Sequence, residues 1–134
     1  MQRPIPRSLS ILLLLYGAAS LVHFVHNAEF LAEYPNMPAT WSRVAVYFAW
    51  IGMTIVGLAG WLLVVRGFNI LGLLCLLVYA GLGLDSLGHY VLAPIGVHSA
   101  MMNATILAEV TTAAVVLVVA LRLLAMRMLM RRQA

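Results

Sequence analysis

The chain has 134 residues, of which 64% are hydrophobic and 9% charged, and its mean hydropathy is +1.03. This composition excludes an ordinary soluble domain, and the length accommodates four membrane spans of roughly 20 residues each with no room for a second domain. The net charge is +4, yet all eight basic residues are arginines that mostly flank apolar runs, so they read as membrane anchors and not as a nucleic-acid surface.

Arg3 and Arg7 precede Leu9 to Leu15, with Ala18-Ala19-Ser20 behind, an outline shared with cleaved signal peptides. Apolar character continues past Ser20, which favours a retained first span over residues 8–34. That span should stop at Tyr34-Pro35-Asn36-Met37-Pro38, where two prolines remove amide donors and restrict their neighbours. Ser42 is a cap for a second span over 43–65. Arg66-Gly67-Phe68-Asn69 then forms a tight turn into a third span over 70–92. Cys75 within it is the single cysteine, which excludes an intramolecular disulfide, a CxxC redox pair or a multi-cysteine metal site. Pro94 and Gly96 break the chain before a fourth span over 98–124, which has a basic continuation to Arg132.

The expected fold is an all-α integral membrane protein, a four-transmembrane-helix up-down-up-down bundle, because every connection is short. Both termini then share one side with Arg3, Arg7, Arg66, Arg122, Arg127, Arg131 and Arg132, while Arg43 alone lies on the other. The positive-inside rule makes that side cytoplasmic, as in a bacterial-type inner membrane. The arginines after Leu124 should meet anionic lipid, and Tyr34 and Trp41 should sit at the opposite interface.

All four histidines (His23, His26, His89, His98) and all four acids (Glu29, Glu33, Asp85, Glu109) fall in the half away from the arginine-rich end. At 1.5 Å per residue, His23 and Glu109 lie roughly 15 Å from their helix ends. Ionisable groups at that depth face a bundle interior or a water-filled cavity. His98, Met102, Thr105, Glu109 and Thr112 recur at spacings of four and three, one polar stripe on an otherwise apolar helix. Asp85 and His89 are four apart, beside Gly81, Gly83 and Gly88. His23 is three and four residues from His26 and Asn27. The second span has no His, Asp or Glu and reads as scaffold.

Imidazole and carboxylate ligands from three helices are the donor set of Zn, Fe and Mn sites, so a metal ion is expected on His23, His26, Asp85, His89 and Glu109, with His98 as an added or gating ligand. Its positive charge would offset the burial of several acids together. Met37, Met101 and Met102 near the same face lean toward copper. A metal-activated water or oxygen near the outer leaflet could then attack a lipid-like substrate entering from the bilayer, with Asp85 or Glu109 as general base. HxxH and DxxxH are short patterns, and neither HExxH nor a paired ExxH is present.

Three other readings use the same residues. A metal-free hydrogen-bond network can lock the bundle or serve proton or solute movement, the same groups can capture a metal ion from the outer compartment, and His23 or His26 with His89 can ligate a b-type haem for electron transfer. Glu29 and Glu33 lie near the membrane surface and read as a solvated helix end. In size and span number the chain is similar to the small multidrug transporters, whose glutamate lies midway along the first helix. Here His23 occupies that depth, so their function is not carried over. Membrane lipids are the expected surroundings, and pairing with a second copy or a larger membrane complex is compatible with the sequence.

Overall fold

The computed structural model describes residues 7–132. The expected anchor Arg3 and the side chains of Arg131 and Arg132 lie outside the described residues. The described chain is helical: α1 (Arg7–Glu29), α2 (Arg43–Val65), α3 (Asn69–Leu84), α4 (Gly88–Leu92) and α5 (Ala100–Arg132), with 3-10 turns at Leu31–Glu33, Asp85–Leu87 and Ile95–Val97. Because α3, the turn at Asp85–Leu87 and α4 run on as Asn69–Leu92, four segments are long and apolar enough to cross a membrane.

The boundaries have local causes. α1 ends at Glu29, before residue 34, since the chain tightens into a 3-10 turn ahead of Pro35 and Tyr34 is extended, the conformation a following proline favours. The Ser42 Oγ accepts the Ala45 amide at 3.2 Å and starts α2. α2 stops in a Schellman arrangement: the Gly67 amide donates to Val64 O at 3.1 Å and the Phe68 amide to Leu63 O at 2.9 Å. This needs the left-handed φ of 90° that glycine adopts freely. Ser99 serves the start of α5, its Oγ accepting the Met102 amide at 3.2 Å.

α1 packs against α2 and α5, and α3 packs against the same two helices, so the four segments form a ring. The closest approach is between α2 and α3, where a Cβ on Gly72 would stand 2.7 Å from the carbonyl oxygen of Gly60. Any larger residue at Gly72 would force the helices apart. Leu14, Phe48, Ile55, Val78 and Val118 point outward. Only 22% of the most apolar window of α1, and the same share of α2, is buried inside the bundle, so the outer faces are exposed and apolar, compatible with a membrane location.

Three apolar layers fill the interior. Leu9, Val64, Leu73, Leu76 and Ala120 lie toward the arginine-rich end, and Tyr16, Met53, Tyr79, Ala80, Ala113 and Val116 form the middle. Tyr34, Met102 and Ile106 close the far end. Ser20, His23, Asn27, Ser86, His89, Thr105 and Glu109, all buried, make a polar layer on the histidine side.

Candidate functional site

Glu109 is fully buried on α5, on the inward line that also carries Met102 and Thr105. Below it this line runs through Ala113, Val116 and Ala120, leaving Thr112 half-buried with its hydroxyl on the Ala108 carbonyl at 2.8 Å. Ser86 Oγ donates to Glu109 Oε2 at 2.6 Å, and the same oxygen lies 3.7 Å from His23 Nε2. Glu109 Oε1 and the Ser20 hydroxyl are both sealed from solvent, and the hydroxyl lies near the Glu109 carboxyl without a hydrogen bond of ordinary geometry.

The hydrogen bonds around His23 define where its protons sit. The Thr105 hydroxyl donates to Met102 O at 3.0 Å, so its oxygen accepts His23 Nδ1–H at 3.3 Å. His23 Nε2 then carries a lone pair toward Glu109. At 3.7 Å the two atoms stand beyond hydrogen-bond length, and a proton on either one relieves the approach of two lone pairs, whereas a bare carboxylate buried here would have only the Ser86 and Ser20 hydroxyls to offset its charge.

The polar layer continues toward the histidine end as a chain of rings. His23 and His89 meet edge to face with centroids 5.4 Å apart, and His89 and His98 follow at 6.3 Å. Asn27 Nδ2 donates to His89 Nε2 at 3.2 Å. His98 Nδ1–H donates to Pro94 O at 3.1 Å, leaving its buried Nε2 unpartnered. On the other flank the Tyr34 hydroxyl lies against Thr105 and donates to His26 Nδ1 at 2.9 Å. Burial pushes the Tyr34 hydroxyl up to about 12, so it stays a donor at neutral pH. His26, half-buried, is the outermost member of this line.

The predicted residues thus separate. His23, His89, Glu109 and His98 are brought into one interior column, and His26 joins through Tyr34. Asp85 is the correction: it is exposed, and its tie to the cluster is a charge interaction with His89. The 3-10 turn at Asp85–Leu87 aligns residues three apart instead of four, so Ser86 and not Asp85 shares the inward face with His89. That three-residue spacing was present in the sequence, but the turn that makes it count was not. Tyr34, expected at the outer interface, is instead folded inward, 3% exposed. Glu29 and Glu33 are exposed, and Glu29 binds Arg43 and the Tyr47 hydroxyl, each at 2.7 Å.

Among the described residues no three His, Cys, Asp or Glu side chains are grouped to hold a metal ion. Asp85 is exposed and His26 is turned to Tyr34, while His98, oriented by the Pro94 carbonyl, keeps a free Nε2 but has no two further ligands grouped with it. The edge-to-face contact of His23 and His89 holds no porphyrin plane between them as arranged. What the geometry does provide is a deep carboxyl with an imidazole beside it, joined by hydroxyl and imidazole groups to the histidine end. Compared with protein families, curated proteins and solved structures, the chain matches none.

Proposed function

We propose that this protein is a membrane proton-binding module, in which Glu109 and His23 hold one exchangeable proton deep in the bilayer and load it from the histidine end. The up-down-up-down reading is supported by the pairs Glu29–Arg43 and Ser10–Trp61, which join the end of α1 to the start of α2 and the start of α1 to the end of α2. The arginine excess then orients both termini to the cytoplasm and the histidine end to the outside.

The observation that carries the proposal is the His23–Glu109 pair, fully enclosed, with an imidazole nitrogen and a carboxyl oxygen 3.7 Å apart. Intramembrane carboxylate–imidazole chains of this kind are the usual parts of proton relays. Access is one-sided. Toward the outside lie Thr105, Tyr34, His26, His89 and His98, whose nitrogens and oxygens can pass a proton directly or through water at the unpartnered atoms of Asn27 and His98. Toward the cytoplasm, the Tyr16, Met53, Tyr79, Ala113 and Val116 layer closes the bundle, and the Tyr16 hydroxyl is committed to Tyr79 O at 2.9 Å.

A hydrophobic carbodiimide reacts with protonated carboxyl groups, and it tests this directly in oriented proteoliposomes. Glu109 should be modified, and the extent should fall as the external pH rises while remaining indifferent to the internal pH. Labelling that follows the internal pH, or neither, contradicts the proposal.

A further inference from the structure

Asp85 is exposed on the outside of the bundle, yet it lies deep within its segment. Ser86, the next residue, reaches Glu109 at 2.6 Å, so Asp85 is held at the level of that buried carboxyl. Leu92, where the segment ends, is seven residues further on, roughly 10 Å at helical rise. An aspartate side chain is too short to bridge that distance to water as a long arginine does. Among the described residues its carboxylate makes no ion pair, and a charge interaction with the buried His89 is what ties it to the chain.

Asp85 belongs to a seam. Leu74, Val78, Gly81, Asp85, Gly88 and Leu92 recur at spacings of four and three, and all are exposed except the half-buried Gly88. A period of 3.5 residues is the one by which two helices pack along each other. The two glycines of the seam have no packing use inside the chain. A Cβ on Gly72 would run into Val64 and one on Gly83 into the Tyr16 hydroxyl, whereas a Cβ on Gly81 or Gly88 would meet nothing within 4 Å. Glycine weakens a helix interior, and in membranes that loss is offset where small residues let a second helix approach closely. Gly81 and Gly88 flank Asp85 by one turn on either side.

We infer that the outer face of the Asn69–Leu92 segment binds a transmembrane helix of another protein that carries one lysine or arginine at the depth of Asp85. The carboxylate calls for a cation, and the open glycines on a 3.5-residue seam call for a helix to bring it. The amines of phospholipids remain at the bilayer surface, out of reach of so short a side chain. A second copy of this chain supplies no cation at that depth, because Arg43 is the one arginine toward the histidine end and it is bound to Glu29 at 2.7 Å. The inference rests on the segment crossing a bilayer and does not depend on proton binding at Glu109.

The test uses the full chain, labelled with a donor dye at its N-terminus, in liposomes. Its probes are acceptor-labelled, leucine-rich single-span peptides that carry Lys, Leu or Glu at one position, about 10 Å from one end of the span. Energy transfer should saturate with the Lys peptide and stay at the level of random mixing with the other two. Asp85→Leu should weaken association with the Lys peptide on the order of tenfold. Gly81→Leu, which leaves the charge in place and extends into open space, should weaken it as well, and Asp85→Lys should reverse the preference toward the Glu peptide. All three variants should keep the helical circular dichroism spectrum. A chain that does not float with the liposomes would remove the membrane placement itself. With the chain inserted, equal transfer to the three peptides or undiminished transfer in Asp85→Leu would overturn the inference. So would energy transfer between two copies of the chain that Asp85→Leu abolishes, because a second copy would then occupy the seam.

Discussion

His23 on α1 and Glu109 on α5 face each other with Nε2 and Oε2 3.7 Å apart, and neither residue is more than 1% exposed. Replacing Glu109 by Ala removes the acceptor of Ser86 and the neighbour of His23 together, and should destabilise the bundle by roughly 3 kcal/mol. Glu109→Gln keeps the shape and an acceptor for the Ser86 hydroxyl, so it should cost less than about 1 kcal/mol. Reversible unfolding in detergent measures both. Equal losses would mean that packing alone holds Glu109 in place.

Two neighbouring residues of the 3-10 turn, Asp85 and Ser86, should respond unequally. Ser86→Ala removes the 2.6 Å hydrogen bond to Glu109 and should lower stability by about 1 kcal/mol. Asp85→Asn, at an exposed position, should remain within about 0.5 kcal/mol of the parent protein. The reverse order would place Asp85, and not Ser86, against the buried carboxyl.

That contrast marks how far the sequence could be read. Four long apolar segments follow from the unbroken runs of apolar residues, and Pro35, Ser42 and Gly67 act at the boundaries where their backbone chemistry suggests. The inward stripe of Met102, Thr105 and Glu109 follows from spacing on one long regular helix, whereas His98 lies in the extended chain ahead of that helix. The third segment was not legible to the same depth. A turn of 3-10 helix at Asp85–Leu87 changes the angular step, and no glycine or proline rule singles out that place. Tyr34 was hidden for a related reason, since only the path of the loop after α1 decides whether its ring meets lipid headgroups or His26.

Alkaline titration gives a readout at Tyr34. Its hydroxyl lies at about 12 in the folded protein against 10.0 for an exposed tyrosine, because burial opposes the phenolate. The folded value is the higher one, so the stabilisation is complete below pH 10 and is lost as the pH climbs through 12, at up to about 1.4 kcal/mol per pH unit. Tyr34→Phe should flatten that part of the stability curve while lowering stability at neutral pH through loss of the His26 bond. A Tyr34→Phe curve parallel to that of the parent above pH 10 would contradict this assignment.

Zinc titration addresses the metal-centred reading. With Asp85 exposed and no three ligating side chains grouped among the described residues, zinc at a few equivalents should leave the unfolding midpoint unchanged, in protein purified without metal-affinity resin. A saturable rise at one equivalent, lost in His23→Ala, would show that the column rearranges around an ion.

Infrared difference spectroscopy of the protein in bilayers, recorded as the external pH is stepped, tests the proton site most directly. A protonated carboxyl has a carbonyl stretch distinct from that of a carboxylate, and the parent protein should show such a band that shifts in D2O and changes with external pH. Glu109→Gln should abolish it, and His23→Phe should move the pH at which it changes. A parent spectrum identical to that of Glu109→Gln would mean that Glu109 exchanges no proton, and the buried pair would then serve only to hold α1 against α5.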